Sequence, residues 1–94
     1  MAGPLAGVKV VSFGRYLSGP FAAMLMADLG AEVIKIEDRK GDPVRNNSPF
    51  VGDLSHYFLS VNRGKKSFSI DLRHSRTKAV LEELIKQTDI LIEN

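Results

Sequence analysis

The chain has 94 residues, 44% of them apolar and 26% charged, with a net charge of +2. That is the size of one small soluble domain or a piece of a larger one. No apolar run reaches the roughly 18 to 20 residues needed to span a bilayer, the start lacks an export leader's basic and apolar regions, and cysteine is absent. These features exclude disulfide staples, thiolate metal sites and cysteine nucleophiles, and they predict a cytoplasmic protein without a membrane partner.

Val8 to Phe13 is short, mostly apolar and bounded by Gly7 and Gly14, as a buried strand would be. Ser18 is placed to cap the next helix, with Pro20 in its first turn. That helix is predicted from about Pro20 to Leu29, apolar nearly all round and so buried on more than one side, with Gly30 just past its end. Glu32 to Glu37 reads as a second strand with Val33, Ile34 and Ile36 inward. Asp38 to Ser55 is rich in Gly, Pro and Asn and reads as a long loop of the functional kind.

His56 to Asn62 is predicted as a short helical piece. Ser67 to Leu72 alternates, with Phe68, Ile70 and Leu72 on one face of a third strand. Ser75 is placed to cap a helix to about Gln87, striped by Val80, Leu81, Leu84 and Ile85, and Asp89 to Ile92 begins a fourth strand. The order implies an α/β, Rossmann-like parallel sheet with crossover helices. A sheet that ends on an uncovered strand also predicts a partial domain.

The basic residues gather late, at Arg63, Lys65, Lys66, Arg73, Arg76 and Lys78. They fit a solvated surface, or a site for the phosphates of a small ligand, and not a nucleic-acid face. The turn Gly14 to Gly19 before a helix, with Glu37 roughly 20 residues on, has the outline of a dinucleotide unit. It lacks G-x-G-x-x-G, and Pro20 removes one donor from the helix start. His56 and His74 have no partner pattern for a metal or a catalytic set.

"PLAGVKVVSFGRYLSGPFAAMLMADLGAEVIKIE", "GDPVR", "YFLSVNRGKKSFSIDL" and "DILIEN" together resemble the amino terminus of the class III CoA-transferases. That group includes formyl-CoA transferase, carnitine CoA-transferase and α-methylacyl-CoA racemase. The resemblance implies that residues 1–94 are the N-terminal part of a CoA-binding Rossmann-type domain. It implies CoA or acyl-CoA as substrate, no permanently bound cofactor or metal, a carboxylic acid as second substrate, and an interlocked homodimer.

Carried over residue by residue, Leu17 and Ser18 lie against CoA. Arg39, beside Asp38 where the family often has arginine, meets the adenine and ribose phosphate. Ile70, Asp71, Leu72 and Arg73 flank the adenine, Arg73 being the phosphate cation, and Asn94 contacts the pantetheine or diphosphate. Plain strand-end packing is an equal reading for Asp71 and Leu72. Asn62, Arg63 and Lys65 fall in an "NRxKxS" signature that holds loops or faces a phosphate, and Arg15 meets the acyl group or packs.

The nucleophilic aspartate of the transferases is expected beyond Asn94, so this stretch carries binding residues and no catalytic one. A racemase, or a stand-alone CoA- or nucleotide-binding module, is the alternative.

Overall fold

The computed structural model describes residues 3–94. Four strands form one parallel sheet in the order β5-β2-β1-β6: β1 is Lys9–Ser12, β2 Glu32–Glu37, β5 Lys65–Ser69 and β6 Ile90–Ile92. Between them lie the helices α1 (Ser18–Asp28), α2 (His56–Asn62) and α3 (Thr77–Lys86), and a two-stranded hairpin of β3 (Phe50–Val51) and β4 (Leu54–Ser55). The chain steps outward from β1 through β2 to β5, then crosses back to lay β6 on the other side of β1. Strand order therefore reverses between β1 and β6, the place where ligands collect in open α/β sheets.

The register pairs Val10 with Val33 and Ile90, which puts their side chains on one face of the sheet. There Val10, Val33, Ala23 and Ala31 form the buried core, with Leu5, Val8, Met26, Ala27, Ile90 and Ile92 packed against them. The helix α1 supplies its share of this core from a single stripe. Gly19, Pro20, Ala23 and Met24 are buried, whereas Phe21, Leu25 and Leu29 are each about half exposed. The expectation of burial on more than one side is corrected: composition sets how apolar a helix is, but its neighbours set how much is covered.

Gly30 ends α1 as expected, in the left-handed region at φ +104. Its N–H donates to Ala27 O at 3.0 Å and the next, Ala31, to Met26 O at 3.0 Å, the paired bonds that close a helix C-terminus. Neither serine expected to cap a helix does so. Ser18 is the first residue of α1, and Leu17 holds the capping position without a side-chain bond. Ser75 precedes Arg76, which holds that position for α3, again without a side-chain bond. The Thr77 hydroxyl instead donates to Asp71 O, and His74 Nδ1 accepts from Arg76 N at 3.1 Å, so neighbours fix this turn.

β2 and α2 match their expected bounds. β1 is shorter at each end than expected, and β5 begins two residues early and stops at Ser69. Its register against β2 pairs Lys65 with Val33 and Phe68 with Ile36, so Leu72 lies past the strand and is exposed. The expected stripe of α3 is only partly covered: Leu81 and Leu84 are half-buried, Val80 and Ile85 exposed. The long loop holds a single 3-10 turn, Pro43–Asn46, and the hairpin. Ser55 caps α2, accepting from Phe58 N at 3.3 Å, and its one hydroxyl proton faces Asn47 O at 2.6 Å with Val44 O at 3.1 Å.

Val33 sits in the middle of the core at 1% exposure. Val33→Ala should therefore lower the unfolding free energy by about 1.5–3 kcal/mol. Urea denaturation checks this: the midpoint falls while the slope stays unchanged.

Candidate functional site

Along β2, parity places Val33, Lys35 and Glu37 on the same face, toward α1. The amino half of that face is the apolar core. The carboxyl half is a buried polar layer. The side chain of Lys35 is 2% exposed; its Nζ donates to Gly14 O at 2.9 Å and lies 2.9 Å from Asp42 Oδ2. The approach to Asp42 is oblique, so the contact is ionic rather than a well-directed hydrogen bond. Asp42 Oδ1 accepts from Val44 N at 3.0 Å, capping the turn that follows.

One step further along, Arg45 grips Glu37 with two bonds, Nη2 to Oε1 at 2.7 Å and Nε to Oε2 at 3.1 Å. Its guanidinium stands 3.7 Å from the centroid of the Phe58 ring. "GDPVR" is thus the segment that fastens the loop to β2. Glu37, the carboxylate that a dinucleotide reading assigns to a ribose, is fully engaged by this arginine.

The turn after β1 is packed as tightly. A Cβ on Gly14 would lie 3.0 Å from Pro20 Cδ and 3.1 Å from Gly19 Cα, and one on Gly19 would lie 3.0 Å from Asn94 Oδ1. Both glycines are explained by this close approach rather than by a phosphate cradle. Asn94 holds the turn from the end of β6: Oδ1 accepts from Arg15 N at 2.9 Å, and Nδ2 donates to Ser18 Oγ at 3.1 Å and Arg15 O at 3.2 Å.

All eight expected binding residues follow the carboxyl ends of the parallel strands, but they do not line one cavity. Leu17, Ser18 and Asn94 gather at the start of α1, with Leu17 exposed. Arg39, Asp71 and Arg73 line a cavity of about 470 Å³ with Asp38 and Lys40. Leu72 borders a second cavity, of about 430 Å³, with Gly14, Lys35, Glu37, Asp42 and Asn94. Ile70 is half-buried, and its N–H extends the ladder by donating to Glu37 O at 2.9 Å. Asp71 accepts from Arg73 N at 2.9 Å and sits 3.8 Å from the Arg39 guanidinium.

The "NRxKxS" segment holds elements together. Arg63 pairs with Asp28 at 2.6 Å and holds its carboxyl below the usual carboxylate range. Lys65 Nζ donates to Asn62 Oδ1 at 2.7 Å and Pro20 O at 2.9 Å. Burial, with the Lys35 charge nearby, lowers the Lys65 ammonium to about 8. Lys35, Asp42, Glu37 and Arg45 were missed as a group. Their signal is present in E-V-I-K-I-E, where Lys35 and Glu37 share parity with Val33.

Residues 5–94 match the profile of CoA-transferase family III. The chain belongs to this family. It is 46% identical over 93 residues to succinyl-CoA:glutarate CoA-transferase of Homo sapiens, covering 97% of this chain and 21% of that protein. It is 42% identical over 93 residues to acetyl-CoA:oxalate CoA-transferase of Acetobacter aceti, covering 98% and 24%. The crystal structure of a CAIB/BAIF family protein from Brucella suis superposes with a TM-score of 0.92 at 37% identity, over 100% of this chain and 26% of that one. The chain thus spans between a fifth and about a quarter of the length of these proteins.

Below pH about 8 the folded and unfolded chains both hold the Lys65 proton, and its burial penalty acts in full. Between there and the ordinary lysine value of about 10.4 only the unfolded chain keeps the proton, so stability rises with pH. Urea midpoints of the parent should therefore gain on those of Lys65→Met as pH rises from 7.5 to about 9.5. Parallel pH curves for the two proteins would exclude this lysine as the titrating group.

Proposed function

We propose that the chain forms the CoA-binding, Rossmann-type N-terminal portion of an acyl-CoA:carboxylate CoA-transferase. The carrying observation is the cavity beyond the carboxyl ends of β2 and β5, where Arg39, Lys40 and Arg73 stand together. Arg73 has no ion-pair partner among the described residues, so its guanidinium is free for an anionic group. A phosphate suits it, since planar fork donors match phosphate oxygens. CoA carries its phosphates at one end and its thiol at the other. With the ribose phosphate beside Arg39 and Arg73, the adenine meets Ile70 to Leu72, and the diphosphate and pantetheine run toward Leu17, Ser18 and Asn94 at the strand-order reversal.

The chemistry is transfer of CoA from a thioester to a free carboxylate. An aspartate beyond Asn94 attacks the acyl-CoA carbonyl and expels CoA thiolate, leaving a mixed anhydride. The thiolate then attacks the aspartyl carbonyl, and the released carboxylate leaves. A second carboxylate reverses the sequence, so a difficult displacement becomes balanced steps. The relatives named above are CoA-transferases, which favours this reading over racemisation. Three of the aspartates here fit structural roles: Asp28 pairs with Arg63, Asp42 is buried against Lys35, and Asp89 accepts from Lys9 N. The exposed apolar side chains of α1 fit the proposed homodimer, in which further protein surface covers them.

CoA exchange between an acyl-CoA and a free carboxylate, followed chromatographically in the full-length protein, tests the reaction. Arg73→Ala should weaken CoA binding in calorimetry by about 1.5–3 kcal/mol, roughly ten- to a hundredfold. An unchanged affinity removes Arg73 from the site. Leu17→Asp, a change at an exposed position, should raise the KM for acyl-CoA by placing a carboxylate near the diphosphate; an unchanged KM moves the ligand away from that turn.

A further inference from the structure

We propose that Lys35 is a positioning residue for CoA, holding the two walls of the cavity at the carboxyl ends of β1 and β2 in fixed relation. The inference rests on the CoA reading given above and goes beyond it by assigning a role to a side chain that is almost wholly buried. Three segments meet at its ammonium. Lys35 itself comes from β2, Gly14 O from the turn after β1, and Asp42 from the loop that precedes the 3-10 turn, each contact at 2.9 Å. Gly14 and Asp42 both border the same cavity of about 430 Å³, so the residues joined are wall residues.

The bond to Gly14 does more than tether a loop. The peptide unit between Gly14 and Arg15 is held at both ends, its C=O by Lys35 and its N–H by Asn94 Oδ1 at 2.9 Å. Rotating that peptide would break both bonds. The backbone leading to Leu17 and Ser18 therefore takes its direction from a plane fixed by two side chains from two different strands. On the other side, Asp42 is set by Val44 N, and Arg45 in the same turn grips Glu37. Removing the ammonium frees the Gly14 carbonyl and leaves Asp42 Oδ2 buried without a partner, so both walls relax.

Removing one partner of a buried ion pair also lowers global stability, because the other charge is left uncompensated. The test must therefore read ligand affinity separately from the fraction of folded protein. The test uses the full-length protein and CoA itself in titration calorimetry, which separates the fraction of competent protein, read as stoichiometry, from the dissociation constant. Lys35→Met keeps the stem's bulk and removes the charge. It should raise the CoA Kd by about tenfold with stoichiometry near the parent's, because a loosened site must be ordered at binding. Asp42→Asn retains the acceptor for Val44 N and should raise the Kd in the same direction by about threefold or more.

A Lys35→Met protein with lowered stoichiometry and parental Kd overturns the proposal and makes the residue a folding element. If that variant does not fold, Asp42→Asn decides alone, and a parental Kd there overturns the proposal. Failure of both variants to fold overturns it too. Arg73→Ala separates the two inferences. Loss of affinity there with none at Lys35→Met removes Lys35 and leaves the CoA reading standing, whereas a parent that does not bind CoA removes both.

Discussion

The ammonium of Lys35, buried between β2, the β1–α1 turn and the loop at Asp42, is the constraint on which the ligand end of this fold depends. Withdrawing a lysine and an aspartate from water costs several kcal/mol per ion, and only close pairing with further hydrogen bonds offsets it. Those further bonds are why the surroundings are so exact. Gly14 must turn its carbonyl inward, and the chain must return over the sheet within a few residues of β2 to bring Asp42 into place. Gly41 permits that return at φ +79, and a Cβ there would stand 3.0 Å from Arg45 Cδ. The polar layer thus dictates the path of the loop, and the loop in turn forms one wall of the cavity.

The same sheet face changes character along its length. At the amino half Val10 and Val33 pack under α1; at the carboxyl half Ser12, Lys35, Ser67 and Glu37 take over in register. Apolar burial holds the helix down, and directional bonds shape the end where strand order reverses. This division also answers what the glycine-bearing turn is for. Gly14 and Gly19 approach each other and Asn94 too closely for any side chain, so the turn binds β6 to α1. Two of its backbone donors are taken up internally, Arg15 N by Asn94 and Gly14 N by Ser12 Oγ. The cations Arg39, Lys40 and Arg73 line a separate cavity.

Much of the architecture was legible because it rests on local rules. Gly30 stops α1 through the left-handed backbone that only glycine adopts freely, and β2 and α2 have the bounds that their punctuation implies. The failures are tertiary. Ser18 lies inside α1, with Leu17 at the capping position, and its hydroxyl accepts from Asn94, 76 residues away. β5 begins at Lys65 because pairing with Val33 extends it past its alternating residues. Lys35 and Glu37 read as the polar interruptions of an apolar strand, although parity already placed them inward with Val33. Nothing local announces that Asp42 and Arg45 will come back to neutralise them. The cationic cluster was found in pieces: Arg39 and Arg73 were singled out separately, and the β2–β5 pairing brings them to one cavity.

A binding unit built this way has little room for titrating chemistry of its own. Its inward carboxylates are already committed, Glu37 to two guanidinium bonds and Asp42 to an ammonium and a backbone donor. A carboxylate so held is immobilised with its oxygens already engaged, which makes it a poor nucleophile toward a thioester. What it presents is a surface with the cations Arg39, Lys40 and Arg73 at one edge and a bonded turn at the strand-order reversal. Rigidity there lowers the ordering cost of binding a long, flexible ligand. On the CoA reading proposed above, the thiol end of that ligand would be held at a reproducible height above the sheet, where a nucleophile carried by another segment would meet it without searching.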